Sequence, residues 1–385
     1  MNGPQASPYP RFSDDELHRR HAALAAVMDA QGVEHVLVRG ANRSGTAIGW
    51  LTRWPVTREA IAIVTPGEPD ALLVDFYNHL PNAQRVATEA DVRWVGERPL
   101  ETALAELGRR GARGVRVGTI GPLGHRAHAA LAGLAGEVVE LDAAYTRLRL
   151  VKSAEEVEWI RHASALTDAG VAALRAAARP GVDERRLGDA IERAYVPHGA
   201  VTHIHYLGAT AMDAPGVCVP AQYPSDRRLA AGDALTCEVS AAFWEYPAQL
   251  LRTFVVGAEP TPLYRELHAV ADAAFDAVVG SLRPGATAAE LVDASGVIED
   301  AGFTIRDDLV HGFVGGYLPP VLGSRSRALT AVPDFTFAEG MTVVVQPNVV
   351  TPDERAGVQT GELVLVTDGG TERLHRFERG LLRAA

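Results

Sequence analysis

Two stretches of this chain repeat one pattern: Gly232 to Glu238 (GDALTCE) and Gly340 to Gln346 (GMTVVVQ) each set an apolar run after a glycine, with a polar side chain six residues beyond it. An apolar run that short, opened by a glycine turn, reads as a buried strand. Two such strands in one chain imply pseudo-symmetric partners in a sheet. A polar side chain ending each strand is what a shared central site needs, since converging strands aim side chains into one cavity; two ordinary strands are the alternative.

The flanking segments place these strands in an α/β (α+β) protein of two domains. With 385 residues and 47% hydrophobic content, the chain has enough apolar material for two cores. Asp14 to Gln31 reads as an amphipathic helix, and Val36–Val38, Ala60–Val64 and Ala71–Val74 read as strands between Gly and Pro turns. Ala103–Arg109 continues the helical signal and Val115–Ile120 the strand signal. The composition changes after Leu141–Tyr145, so the expected division is 1–142 and 143–385. Beyond it, Ser153 and Glu156 form a capping box before apolar residues at helical spacing, and Asp183 caps a second helix after Pro180-Gly181.

Charge and cysteine usage exclude several functions. The net charge of −11 with no basic stripe disfavours nucleic acid and anionic lipid as partners. The first residues, MNGPQASPYPRFSDDEL, show no basic region leading into an apolar core, and no segment holds the roughly 18 uncharged apolar residues of a membrane span. Cys218 and Cys237 are too few for a disulfide framework. The expectation is a cytoplasmic protein with no membrane partner. Lys152 is the single lysine against many arginines, a bias that points to GC-rich coding.

Seven segments in order, RLRLVKSAEEVEWIRHA, RPGVDERRL, PSDRRLAAGDALTCE, LLRTFVVG, VHGFVGG, AEGMTVVVQP and GELVLVTDGG, resemble the signatures of the aminopeptidase P, prolidase and creatinase family. The resemblance spans about residues 143–375 and implies a pita-bread domain preceded by the family's α/β companion domain. It also implies a homodimer with sites near the subunit interface. In metal-dependent members five ligands (two Asp, one His, two Glu) hold two divalent ions. Here those positions fall on Glu238, Gln249, His311, Gln346 and Gly361. One carboxylate, one imidazole and two amides do not balance a dinuclear centre, so the expectation is a site with no metal and no cofactor, a single ion held by Glu238, His311 and waters being the alternative. Glu362 is one residue from the last ligand, on the opposite face of its strand. Creatinase works without metal through a histidine base, but that position here is Ala221. The proton-donating histidine of the peptidases is replaced by Leu318.

The resemblance and the residue types give the candidate site. His203 and His205 lie two apart in a strand along the implied pocket, facing the same way, with His205 as acid or base and His203 as a binding group. Hydrogen-bonded surface or interface histidines are the alternative. Glu238 and His311 are the other catalytic candidates, as a pair in which the carboxylate fixes the imidazole tautomer and raises its pKa; an inert, hydrogen-bonded vestige is the alternative. Tyr246, Gln249 and Gln346 are neutral hydrogen-bonding groups in the former metal cavity. Trp54 and Arg58 fall in the segment that in creatinase-like proteins reaches a neighbouring subunit's site, and Arg325, with Arg327 as competitor, lies near a second carboxylate-binding arginine.

Three functions fit this set. The first is a metal-independent creatinase-like hydrolase of a C–N bond in a small amino-acid-like or guanidino compound. The second is a lyase, isomerase or cyclase in a specialised biosynthetic pathway. The third is an inactive binding or scaffold homologue. Polar replacements at the ligand positions, in place of apolar fill, favour an enzyme acting on a small-molecule substrate.

Overall fold

A computed structural model describes residues 9–42, 47–327 and 331–384. The chain forms two compact units, Met1–Arg149 and Leu150–Ala385. The division falls a helix later than residue 143. The helix Asp142–Leu148 belongs to the first unit, because Tyr145 donates its hydroxyl to the Ala47 carbonyl at 2.6 Å and packs edge-on against Trp50.

The first unit holds a six-stranded sheet of β1 (His35–Ala41), β2 (Glu59–Val64), β3 (Ala71–Val74), β4 (Asp91–Trp94), β5 (Arg116–Ile120) and β6 (Glu137–Glu140), in the order β4-β3-β2-β1-β5-β6. The helix Asp14–Gln31 precedes it. Ser13 caps that helix by accepting from the Glu16 amide, and Gly32 ends it in a left-handed conformation at φ 61°. Trp54 is 2% exposed in this unit. Burial removes it from the binding role expected of it. Arg58 is exposed, ion-paired with Asp75 and stacked over Phe76.

The second unit is built on a curled nine-stranded sheet, whose main path is β12-β11-β13-β16-β9-β8-β7. Its strands are β7 (Ala200–Ala211), β8 (Asp233–Phe243), β9 (Tyr246–Val255), β11 (Val310–Phe313), β12 (Tyr317–Leu322), β13 (Thr342–Val345) and β16 (Gly361–Thr367), with β17 (Gly370–Arg373) beside β16 and β18 (Leu382–Arg383) beside β9. Short β10 (Thr304–Ile305), β14 (Asn348–Val350) and β15 (Gly357–Gln359) form a separate three-stranded sheet. The order mirrors itself about the β16–β9 junction, so β8 and β13, the two repeated segments, occupy equivalent positions. Each half carries helices on its outer face. Ala154–Ala177 and Glu184–Tyr195 pack on β7 to β9 through Val171, Leu174, Leu187 and Ile191, and Pro262–Ser281 packs on β13 and β16 through Leu267, Phe275 and Val278. The Ser153–Glu156 capping box forms as its sequence requires. Among the described residues, no helix is long and apolar enough to cross a membrane.

A buried charge holds the two halves together. Arg252 on β9 is 0% exposed; it donates to the Glu362 carboxylate at 2.8 Å and to the carbonyls of Leu251, Gly361, Phe377 and Glu378. Arg373 holds the other oxygen of Glu362. Burial alone would raise the Glu362 pKa, but the two guanidiniums hold its carboxyl below the usual range. Glu362→Leu leaves Arg252 buried without its counter-charge and is expected to cost about 3–5 kcal/mol in denaturant unfolding. The double variant Glu362→Leu/Arg252→Met is expected to recover part of that loss; equal stability of wild type and the single variant would contradict the assignment.

Candidate functional site

The register of the curled sheet places the former ligand positions side by side. Glu238 stands across from Leu251, which stands across from Gly361. Gln249, two residues before Leu251 on β9, points to the same face. The intervening residues Cys237, Val239 and Leu250 turn the other way, into the core beneath the helices. Gln346 follows β13, which pairs with both β11 and β16, so it meets the same space from the opposite half.

These side chains are bonded to each other. The Gln249 amide nitrogen donates to Glu238 at 2.5 Å and to the Gln346 side-chain oxygen at 3.1 Å, and the Gln346 amide nitrogen donates to the Asp308 carbonyl at 3.2 Å. All are 3% exposed or less. Burial, with the nearby Asp307 charge, pushes Glu238 up to about 8. It is therefore mainly a neutral acid at pH 7.

His311 departs from the expected pairing. Its Nδ1–H donates to the Gly312 carbonyl at 3.0 Å, so a backbone group and not Glu238 fixes the tautomer. The ring stacks on Tyr317 at 3.9 Å between centroids. Nε2 lies 4.0 Å from Asp308 Oδ2 and has no well-formed hydrogen bond. Burial, only partly offset by the Gly312 carbonyl and Gln346, pushes the imidazole down to about 4. The expectation of a raised pKa is reversed, because at 0% exposure desolvation of the cation outweighs any neighbouring anion.

The fifth ligand position is closed. A Cβ at Gly361 would lie 2.5 Å from the Val345 carbonyl oxygen and 2.7 Å from the Gln346 Cα. No carboxylate fits there without moving backbone. Glu362 faces away and is taken up by Arg252 and Arg373. Among the described residues, no group of three His, Cys, Asp or Glu is arranged to hold a metal ion. The donor set and the closed position do not fit the dinuclear centre that this fold can carry.

Three other candidates lie elsewhere. A β-bulge between Thr202 and Ile204 gives β7 one extra residue, His203, so the two histidines do not share a face. His203 keeps to the site side, edge-on to Phe313, whereas His205 turns into the helical core. There its Nε2 bonds the Tyr195 hydroxyl at 2.6 Å, and burial lowers its pKa to about 4. These contacts remove His205 from the catalytic candidates. Tyr246 donates to Glu156 at 2.9 Å, on the face opposite Gln249. Arg325 donates to the Asp293 carbonyl at 2.9 Å and packs over Gly296, and Arg327 pairs with Glu354.

Other groups take their place. The bulge brings Tyr206 opposite Glu238. Asn348 fastens the loop before His311: its side-chain oxygen accepts from the Arg306 and Asp307 amides, both at 2.7 Å, and its nitrogen donates to the Asp308 carbonyl at 2.9 Å. Asp308 is buried, accepts from the Tyr317 hydroxyl at 3.2 Å, and is pushed up to about 8 by burial and by Asp307. The sequence signal for these groups was two consecutive carboxylates, Asp307 and Asp308, entering the apolar run that carries His311. A groove of about 420 Å³ lined by Lys152, Glu155, Glu158 and Arg161 shares no lining residue with this cluster.

The fold matches that of known proteins. The chain is 27% identical over 247 residues to the Xaa-Pro dipeptidase of Pyrococcus furiosus, covering 64% of this chain and 69% of that one. It is 26% identical to the enzyme of the same name from Pyrococcus horikoshii, at 64% and 68% coverage. The prolidase structure from Pyrococcus horikoshii OT3 superposes with a TM-score of 0.79 at 21% identity over 94% of this chain and all of that one. An Xaa-Pro dipeptidase from Bacillus anthracis gives 0.81 at 18% identity over 95% and 99%. These neighbours share the pita-bread fold. With the profile of metallopeptidase family M24 matching residues 158–368, more than half of its length, the chain belongs to that family.

Proposed function

We propose that this family member is a metal-independent hydrolase that cleaves a C–N bond in a small amino-acid-like compound by acid/base chemistry. The observation that carries the reading is the conversion of the ligand set: Gln249 and Gln346 bridge Glu238 to the Asp308 loop, and Gly361 leaves no room for the last carboxylate. Amides that bond each other need no cation, whereas the carboxylates they replace would repel without one.

The roles follow from the protonation states. Glu238, neutral at pH 7, donates its proton to the departing nitrogen. His311, also neutral, offers Nε2 as acceptor for the proton of an attacking water, so the C–N bond breaks as the C–O bond forms. Proton exchange with solvent then resets both groups. Tyr206 and Tyr317 border the reacting space, Tyr206 opposite Glu238 and Tyr317 stacked on His311.

Protein purified without added metal is expected to contain well under one divalent ion per chain by elemental analysis, and its activity is expected to survive chelator. Two stoichiometric ions would overturn the reading. Activity should follow a bell with limbs near 4, where His311 takes a proton, and near 8, where Glu238 loses one; Glu238→Gln is expected to abolish turnover, and unchanged turnover would remove Glu238 from the mechanism. The same residue sets a stability trend. Its folded pKa lies above the unfolded value, so the wild type loses stability relative to Glu238→Gln as pH rises from about 4.5 to about 8. Melting temperatures of the two proteins across that range should diverge upward in pH, and parallel curves would contradict the buried acid.

A further inference from the structure

Among the described residues around the site, four buried side-chain atoms have no hydrogen-bond partner: Ser240 Oγ, Gln249 Oε1, Asp308 Oδ2 and His311 Nε2. Their residues are all at least 97% buried. Such atoms are costly when left bare, so each calls for a partner. Ser240 lies two residues beyond Glu238 on the same face of β8 and stands across from Gln249. A hydroxyl donor there faces an amide acceptor, and the two answer each other. Asp308 and His311 are left. Asp308 Oδ2 lies 4.0 Å from Nε2, too far for a hydrogen bond and close to the span of one water that bonds to both.

The two groups are complementary and held in place. Tyr317 donates its hydroxyl to Asp308 Oδ1 at 3.2 Å and stacks its ring on His311 at 3.9 Å, so one side chain fixes both. The Asp308 carbonyl accepts from Gln346 and Asn348, and the His311 Nδ1–H is committed to Gly312. Burial and the Asp307 charge keep the Asp308 carboxyl mainly in its acid form at pH 7. With Oδ1 accepting from Tyr317, the acid proton sits on Oδ2. Oδ2 is therefore a donor and Nε2 an acceptor. Gln346 also lies near the imidazole, but its nitrogen donates to the Asp308 carbonyl. Tyr317 is 48% exposed, which sets the pair one side chain beneath the surface.

We propose that Asp308 is a positioning residue for the hydrolytic water, which sits between its Oδ2 and His311 Nε2. The water accepts from the Oδ2–H and donates to Nε2, which leaves it one lone pair and one O–H. As that lone pair forms the C–O bond, the proton facing His311 passes to Nε2. The C–N electrons leave with nitrogen, which takes its proton from Glu238. Asp308 keeps its own proton throughout and holds the new hydroxyl oxygen. The inference rests on the proposed acid/base reading for the step itself, and adds where the water waits and which side chain orients it. Fixing a nucleophile's direction before attack is a large part of what a site can contribute to rate.

Two measurements on the full chain at pH 7 test the seat without turnover. A high-resolution crystal structure of the metal-free protein is expected to show one ordered water within hydrogen-bond distance of both atoms. In solution, nuclear magnetic resonance of isotope-labelled histidine reads whether the Nε2 lone pair is hydrogen-bonded. Asp308→Asn, whose amide can donate in the same direction, is expected to keep both the water and the wild-type Nε2 signal. Asp308→Leu, which fills a similar volume with no donor, is expected to lose the water and shift that signal to the position of a bare lone pair, with the Gly312 bond unchanged. A merely structural Asp308 would leave the Nε2 signal alone. Direct contact of the carboxyl with the ring, a side chain filling the gap, or the same Nε2 signal in Asp308→Leu as in wild type would overturn the proposal. If Asp308→Leu does not fold, the wild-type and Asp308→Asn structures decide it. Unchanged turnover in Glu238→Gln would refute the acid/base reading and leave the seat standing, whereas a dry gap would refute the seat and leave that reading to Glu238 and His311.

Discussion

A single buried guanidinium organises the second unit. Arg252 lies where the two halves of the curled sheet meet, and five acceptors converge on it: Glu362 and the carbonyls of Leu251, Gly361, Phe377 and Glu378. An arginine that deep is tolerable only when its charge and all of its donors are matched, so the strands and the C-terminal segment that supply the matches have little freedom in register. That fixed register is what sets Glu238, Gln249 and Gly361 in one row. The charge lies on one face of the junction and the chemistry on the other.

The scaffold carries amides at two of the positions where metal-dependent members of the family hold carboxylates. The four carboxylates that metal-dependent members set among the five positions would need bound cations to offset their mutual repulsion. Amides at two of them link Glu238 through Gln249 and Gln346 to the Asp308 carbonyl. Glu238 is neutral there because burial and the Asp307 charge both oppose its ionisation. A neighbourhood of amides and the elevation of this pKa are therefore one feature seen from two sides.

Periodic features of the sequence translated well. The helix at Asp14–Gln31, the Ser153–Glu156 capping box and the repeated strands that became β8 and β13 all follow from spacing that each element must obey. Strand alternation also placed Glu362 away from the cavity. Tyr246 shows the same rule neglected: three residues before Gln249 on one strand, it has to face the other way, and it does. The bulge at His203 was not legible, because one inserted residue changes the phase of a strand without altering its composition. That phase change exchanged His205 for Tyr206. Asp307 and Asp308 escaped notice for another reason, since a loop's direction depends on what fastens it, here Asn348 from a different strand pair.

The crowding around Gly361 bears on any redesign of the site. A glutamate at that position would place its Cβ against the Val345 carbonyl and the Gln346 backbone before any ion could reward it. Seating one requires the turn after β13 to retreat first, and the Gln249–Gln346 bond holds that turn in place. The two positions are interlocked: a substitution at Gly361 alone does not open the fifth position while the bond between the amides stands.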